Sequence, residues 1–391
     1  MPPLPTGTRD DLLEWRREFP TLDHTLHFIS HSLGAMPRGV EEALARYASL
    51  WRERGIRAWE EDWLELPTRV GNVLAGIVHA EPGTIAMLEN VTTAQAVALS
   101  AVDFTPPRNR LVCTVEDFPS VLYLYEGLAR RGVQVVRVPA RDHHRIDERE
   151  VVAAIDERPA VVAISHVLFR SAQLLDLGPI VRRAREAGAL TLIDAYQAVG
   201  TVPLDLAALD VDMVTGGSVK WLCGGPGAGY LYVSPRVRQA LRPGLTGWMA
   251  HERPFDFDSG PMRWHEGPRR FWTGTPGIPS FSAALPGYQI VARIGVQAIR
   301  EKSLRQTGRM LEWADEFGFR VGSPRENDRR GGTVVVDVPH AGEVCQALLA
   351  ADVLLDYRPG VGLRLAPHFY TRDDEVDVVM ARVRDEVRRR A

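Results

Sequence analysis

One amine and one carboxylate define the chemistry this chain offers. Lys220 follows a β-rich run, Val211 to Thr215, through Gly216-Gly217-Ser218. The sequence holds 47 Lys plus Arg, of which only two, Lys220 and Lys302, are lysine. Arg serves almost any surface charge but cannot give up its proton or condense with a carbonyl; a desolvated Lys does both. Val219, Trp221 and Leu222 give Lys220 the apolar setting that lowers an amine's pKa. Lys302 lies in a charged helical stretch, IREKSLRQ, and reads as part of a solvated face. Upstream, the apolar run Leu190 to Ile193 ends abruptly on Asp194.

A strand-end Asp is often a helix N-cap. With an amine on a later strand-loop, Asp194 is better read as half of a cofactor site. Pyridoxal phosphate needs both groups: a Lys that links to its aldehyde, and a carboxylate that pairs with the pyridinium nitrogen. Other residues fit around this pair. Asn90-Val91-Thr92-Thr93 lies between a predicted strand and a predicted helix, either a phosphate cradle or an ordinary cap. Phe118, in TVEDFPS, belongs either over a cofactor ring or in the core. Arg364, in GVGLRLAP, alternates with apolar neighbours; it is a bidentate carboxylate grip or a surface strand residue. Arg170, in HVLFRSAQ, carries the same two readings. None of the 11 histidines falls in a metal-binding pattern, and His24, His27, His143 and His144 read as surface or packing residues. Cys113, Cys223 and Cys345 have no CxxC spacing, so neither a disulfide framework nor a metal site is expected, and Cys223 reads as a small buried hydrophobe.

These residues need a scaffold, and 391 residues suffice for two domains. Hydrophobic content of 45% and charged content of 25% are those of a soluble globular chain. A net charge of -3 gives no reason to expect nucleic acid or an anionic membrane as partner. The N-terminus lacks a signal-peptide pattern and no apolar run reaches spanning length, so a cytoplasmic protein is expected.

From Leu66 onward helical patterns (67–79, 93–102, 120–131, 147–156, 177–187) alternate with strand-like runs at Thr84–Leu88, Leu111–Val115, Val133–Val138 and Val161–Ser165. Such alternation predicts an α/β fold with a mainly parallel sheet flanked by helices, ligands gathering at the strands' carboxyl ends. Residues 243–282, rich in Pro, Gly and aromatics, read as a long functional loop. One long helix from Ala283 to Phe317 is expected next, then a strand at Thr333–Asp337, a helix at Gly342–Ala351 and a strand at Gly362–Leu365. The predicted division is an N-terminal arm and helix (1–50) joining the small domain, a large cofactor-binding domain (51–285), and a smaller α+β domain (286–391).

Taken jointly, the motifs resemble those of fold-type I pyridoxal phosphate enzymes of the aminotransferase class V group, and within it those of kynureninases. Asp194 to Val233, with GGPGAGYLYV, is similar to the cofactor core of that group. Ser32-Leu33-Gly34 resembles the kynureninase NSLG, with His31 in place of Asn, and Trp63-Leu64-Glu65-Leu66-Pro67 its WxxLP. Phe118-Pro119-Ser120 resembles its FPS, and Arg170 the arginine of its YRTGQ. Gly247-Trp248 with His251 and Thr273-Gly274-Thr275-Pro276 are similar to its GWxxH and TGTP loops, and Arg364-Leu365-Ala366-Pro367 to its RxAP.

The resemblance implies a seven-stranded sheet and a homodimer with shared active sites. Thr92, Thr93 and Ser218 would take the phosphate, with Thr275 reaching in from a second subunit and Trp248 also at the cofactor. Phe118 would stack, and Gln197 would bond the phenolic oxygen. Arg364 would orient the carboxylate of an amino-acid substrate, with His31, Ser32 and Arg170 nearby. It favours cleavage at the β-carbon. Three positions depart from the kynureninase pattern: Val121 for Asp after FPS, Gln197 for the His of DxxH, and Val219 for the Tyr before the lysine. Gln197 instead resembles the DAxQ of cysteine desulfurases, although Cys345 falls inside a predicted helix. Transamination and C–S lysis on the same scaffold, and a non-catalytic binding protein, are the alternatives.

Overall fold

The computed structural model describes residues 10–391, so the polar start of the N-terminal arm lies outside the described residues. Thirteen strands occur among them: β1 (Leu26–His27), β2 (Ile85–Leu88), β3 (Arg110–Thr114), β4 (Gln134–Val138), β5 (Pro159–Ser165), β6 (Leu190–Asp194), β7 (Met213–Gly217), β8 (Gly229–Val233), β9 (Arg320–Val321), β10 (Val334–Asp337), β11 (Val353–Leu354), β12 (Asp356–Arg358) and β13 (Gly362–Leu365). Strands β2 to β8 form one seven-stranded sheet in the order β2-β8-β7-β6-β5-β3-β4. Only β8 runs against its neighbours; the pairs β7–β6, β6–β5, β5–β3 and β3–β4 are parallel. A parallel sheet is covered on both faces, so its strands are apolar throughout. Every residue of β5 is accordingly buried, as is every residue of β7, which pairs parallel with β6. The register places Ser165 beside Asp194 and Asp194 beside Thr215, which brings three strand ends together at one edge of the sheet.

The smaller sheet is antiparallel, ordered β12-β13-β10-β9, while β1 and β11 form a separate parallel pair. Its core is built from Val334, Val336, Leu363 and Leu365 against Met310 and Ala314 of one helix and Val376 and Val379 of another.

Two expectations change. The single helix predicted from Ala283 to Phe317 is two helices, Ile278–Ile294 and Val296–Phe317. Gly295, at φ +83°, breaks them, a backbone conformation that costs glycine little. The first helix packs into the large core through Phe281, Tyr288 and Val291, whereas the second supplies the small core. Lys302 is not on a solvated face. It is 2% exposed, with Nζ 2.7 Å from the Phe369 carbonyl and 2.7 Å from Asp10 Oδ2. The helix's charged face lies under the chain near Phe369, and those acceptors offset the cost of burying the ammonium. Residues 243–277 form an irregular excursion with short 3-10 turns at Trp248–Ala250, Pro254–Asp256 and Pro268–Phe271, and the last five residues of the expected loop belong to the helix from Ile278. Among the described residues, no helix is long and apolar enough to cross a membrane.

Candidate active site

The loop after β7 is held by its backbone. Ser218 N–H donates to the Ala228 carbonyl (2.9 Å), Gly224 N–H to the Ser218 carbonyl (2.9 Å), and Gly34 N–H to the Val219 carbonyl (2.8 Å). Gly34 comes so close that a Cβ there would sit 2.2 Å from the Lys220 carbonyl oxygen. Thus fixed, the Lys220 amine lies 4.3 Å from the centre of the Tyr196 ring and 5.6 Å from that of Phe118. It lines a cavity of about 680 Å³ at the carboxyl ends of the parallel strands. Lys220 is half-buried. Desolvation pulls the amine down from its ordinary 10.5 to about 8, against the opposing pull of Asp194.

Asp194 closes β6 inside the same cavity, buried, with Oδ1 accepting the Tyr196 N–H at 2.9 Å. Burial raises its carboxyl to about 6, although the Tyr196 N–H and the Lys220 charge both work to lower it. Behind it lies Asp117, which the sequence reading passed over. Its Oδ2 accepts from the Thr114 N–H (2.7 Å) and hydroxyl (3.0 Å), and its Oδ1 from the Ser165 N–H (2.6 Å). Asp117 thereby clamps the ends of β3 and β5 together and sets the position of its neighbour Phe118.

Thr92 and Thr93 line the cavity at the first turn of helix Val91–Ser100. Asn90 caps that helix: its side chain takes the Thr93 N–H (2.9 Å) and its carbonyl the Ala94 N–H (2.9 Å), leaving the Val91 and Thr92 N–H groups for a ligand. Phe118, 41% exposed, forms a wall with Phe169, the ring centres 5.2 Å apart and nearly perpendicular. Gln197 lines the cavity too, but its amide is engaged on both sides. Nε2 donates to the His31 carbonyl (3.0 Å) and Oε1 accepts from Trp221 Nε1 (3.2 Å). One Nε2 hydrogen is therefore left for a phenolic oxygen.

The small domain closes the remaining side with Arg364 and Arg358, joined by His31 and Ser32 from the N-terminal segment. Arg364 is buried; Nε donates to Asp356 Oδ1 (2.7 Å), Nη2 to Asp356 Oδ2, and Nη1 to the Phe169 carbonyl (2.8 Å). His31 Nε2 lies 3.2 Å from Asp356 Oδ1, at an angle that falls short of an aligned hydrogen bond. Burial drives the His31 imidazole down to about 4, so it is neutral at pH 7. Burial alone would raise the Asp356 carboxyl, but His31 and Arg364 outweigh it and hold it well below the usual carboxylate range.

Four predicted residues lie elsewhere. Ser218 is fully buried, with its hydroxyl turned to the Ala228 carbonyl, so it is not aimed at the cavity. Arg170 lines a neighbouring cleft and pairs with buried Glu116 (3.2 Å), whose other oxygen meets His144 Nδ1 at 3.0 Å. Trp248 and Thr275 line a separate, largely apolar cavity with Trp59, Phe255 and Phe257. Of the three departures, Val219 lines the cavity beside Gln197, whereas Val121 is buried in the core. All three cysteines are free and buried, Cys345 within helix Ala341–Ala350. Sequence reading missed Tyr196, Asp117, Asp356 and Arg358.

The donor set suits a pyridine-ring phosphate. An amine and a carboxylate face one cavity, an aromatic wall flanks it, and unpaired helix N–H groups lie at its rim. Fold and site together define a pyridoxal-phosphate-dependent enzyme of fold type I. A model of the aminotransferase class-V family matches residues 40–357. The chain belongs to that family. It is 30% identical to the kynureninase of Bacillus thuringiensis subsp. konkukian over 381 residues, which cover 93% of this chain and 88% of the relative. The fold is similar to that of a cysteine desulfurase from Thermococcus onnurineus NA1 (TM-score 0.85, 21% identity, 96% and 98% of the two chains covered). It is also similar to that of a cystine C–S lyase in complex with its product cysteine persulfide (TM-score 0.84, 22% identity, 94% and 99% covered).

Proposed function

We propose that this enzyme hydrolyses an L-α-amino acid at the β-carbon, as a kynureninase does: the bond from the β-carbon to the acyl carbon breaks, and water supplies a hydrogen to the alanine and the hydroxyl of the aryl acid released. The observation that carries the reading is the convergence of Lys220, Asp194 and Arg364 on one cavity. The 30% identity to a kynureninase along 93% of the chain supports it. Pyridoxal phosphate, when bound, supplies the electron sink that makes bonds at the substrate's α- and β-carbons labile. Lys220, with its amine depressed to about 8, exchanges a proton with the α-carbon near neutral pH. Asp194 holds a proton at the pyridine nitrogen. The free Val91 and Thr92 N–H groups and the Thr92 and Thr93 hydroxyls take the phosphate, and Phe118 excludes water from one side. Arg364 orients the substrate carboxylate, with Ser32 and His31 beside it.

A second copy of the chain completes this reading. Trp248, Phe255 and Phe257 are each at least 40% exposed, and a homodimer would cover them while bringing Trp248 and Thr275 to the partner's cavity. Sedimentation at micromolar concentration tests this; a monomer that cleaves substrate at full rate refutes it.

Product analysis with L-kynurenine tests the reaction. Alanine plus anthranilate is expected, and is lost in Lys220→Ala. A keto acid formed from the donor would instead identify transamination, and sulfide or persulfide from cystine would identify C–S lysis. Absence of any cofactor absorbance, unchanged by Lys220→Ala, would identify a non-catalytic protein.

A further inference from the structure

The guanidinium that faces the substrate is already half spoken for. Arg364 presents two faces to a carboxylate: the side-on edge made by Nε and one Nη, and the end-on pair made by both Nη atoms. Asp356 occupies the side-on edge through both its oxygens. The Phe169 carbonyl takes one hydrogen of Nη1 at 2.8 Å, which pins the plane of the group against β5's trailing loop. Three of the five N–H donors are thus in use, and one hydrogen on each Nη remains, the number that an end-on carboxylate needs.

We propose that Asp356 is a positioning residue for substrate recognition, one that blocks the side-on edge of Arg364 and reserves its end-on face for the α-carboxylate. The inference rests on the reading that this cavity receives an α-amino acid. A charge argument supports it independently. Asp356 also holds Arg358, with Nη2 3.2 Å from Oδ2, so two cations share one anion beside the cavity. His31 adds no charge, because burial keeps its imidazole neutral down to about pH 4. The cluster of Arg358, Arg364, Asp356 and His31 therefore carries one net positive charge, matched to one carboxylate. Without Asp356, only the Phe169 carbonyl would hold Arg364, and two like charges would crowd one strand pair.

The test compares L-alanine with L-alaninamide, which has the same amine but no carboxylate. Binding of each to the holoenzyme is followed through the cofactor's absorbance. The wild type should prefer L-alanine. In Asp356→Asn that preference should fall by about tenfold or more, the usual scale for a charge-assisted hydrogen bond, with L-alaninamide affinity within about twofold of wild type. Asp356→Glu, which keeps the charge on a longer arm, should fall between the two, and it carries the comparison alone if Asp356→Asn fails to load cofactor. Parallel weakening of both ligands marks a merely structural role and overturns the proposal. So does an intact preference in Asp356→Asn. A wild type that loads cofactor but shows no preference removes the amino-acid reading itself, and this inference with it.

Discussion

Gly34→Ala adds one methyl group at a point where the N-terminal segment lies against the backbone of Lys220. Its Cβ would stand 2.2 Å from the Lys220 carbonyl oxygen, 3.0 Å from Cys223 Sγ and 3.1 Å from Cys223 Cα. A carbon and a carbonyl oxygen approach to roughly 3.3 Å, so the two segments must part by about 1 Å. The neighbour is backbone, and Gly34 N–H is itself bonded to the Val219 carbonyl at 2.8 Å, so no side chain can swing aside to absorb the strain. Overpacking of this kind costs about 1–3 kcal/mol. The catalytic consequence is larger. A displacement of about 1 Å in the reacting amine is expected to lower kcat on the order of a hundredfold. The assay is turnover of the proposed substrate, L-kynurenine, by holoenzyme, with cofactor absorbance and thermal unfolding recorded on the same sample. Gly76→Ala is the control, since a Cβ at that helical glycine meets nothing within 4 Å. It should stabilise by up to about 1 kcal/mol and leave turnover unchanged. Wild-type turnover and an unshifted spectrum in Gly34→Ala would refute the claim that this contact sets the position of Lys220.

Other expectations follow from buried titratable groups. His27, His31 and His166 are driven by burial to about 4, and His368 to about 3. Below about 6.5 the unfolded chain takes up protons that the folded chain refuses, so stability is full above that pH and falls as pH drops toward about 4. Each histidine contributes about 2 kcal/mol of this loss at pH 5, tempered by Asp117 and Asp194, whose raised carboxyls act in the opposite sense. Denaturant midpoints that stay level from pH 7 to pH 5 would contradict it. Uptake of pyridoxal phosphate by apoprotein should accelerate as pH rises to about 8, where the Lys220 amine loses its proton, and then level off. A rise that continues toward the ordinary lysine value of about 10.4 would show that the amine is not desolvated. Cys345→Ala should retain activity, at a cost of about 1 kcal/mol in stability, because this thiol is buried in a helix of the small domain. Loss of turnover in that variant would favour the C–S lysis alternative.

Part of the cavity's lining was legible in the sequence, although Ser218, Trp248 and Thr275, expected there too, lie elsewhere. Lys220, Asp194, Phe118, Thr92 and Thr93 all stand just past strands, or at the helix starts that follow them, and in a parallel sheet those positions converge whatever the side-chain packing. Hydrophobic periodicity marks such ends directly, while the cofactor roles of Phe118, Thr92 and Thr93 came only from the family resemblance. The substrate half was only partly legible. Arg364 stood out by alternation, but Asp356 and Arg358 resembled any charged edge strand until β12 paired with β13 and placed Asp356 opposite Arg364.

The chain by itself determined which residue types were on hand and on which elements they sat: one uncommon amine, a strand-end carboxylate, an α/β alternation. Tertiary structure alone decided which way they faced. Ser218 turned to the Ala228 carbonyl and Arg170 to Glu116, while Lys302, seemingly a surface residue, was buried on the Phe369 carbonyl. Each of these outcomes depends on a partner on another element, between ten and sixty-seven residues away in sequence. A polar side chain is committed by whichever donor or acceptor packing brings within about 3 Å, and no local pattern encodes that encounter.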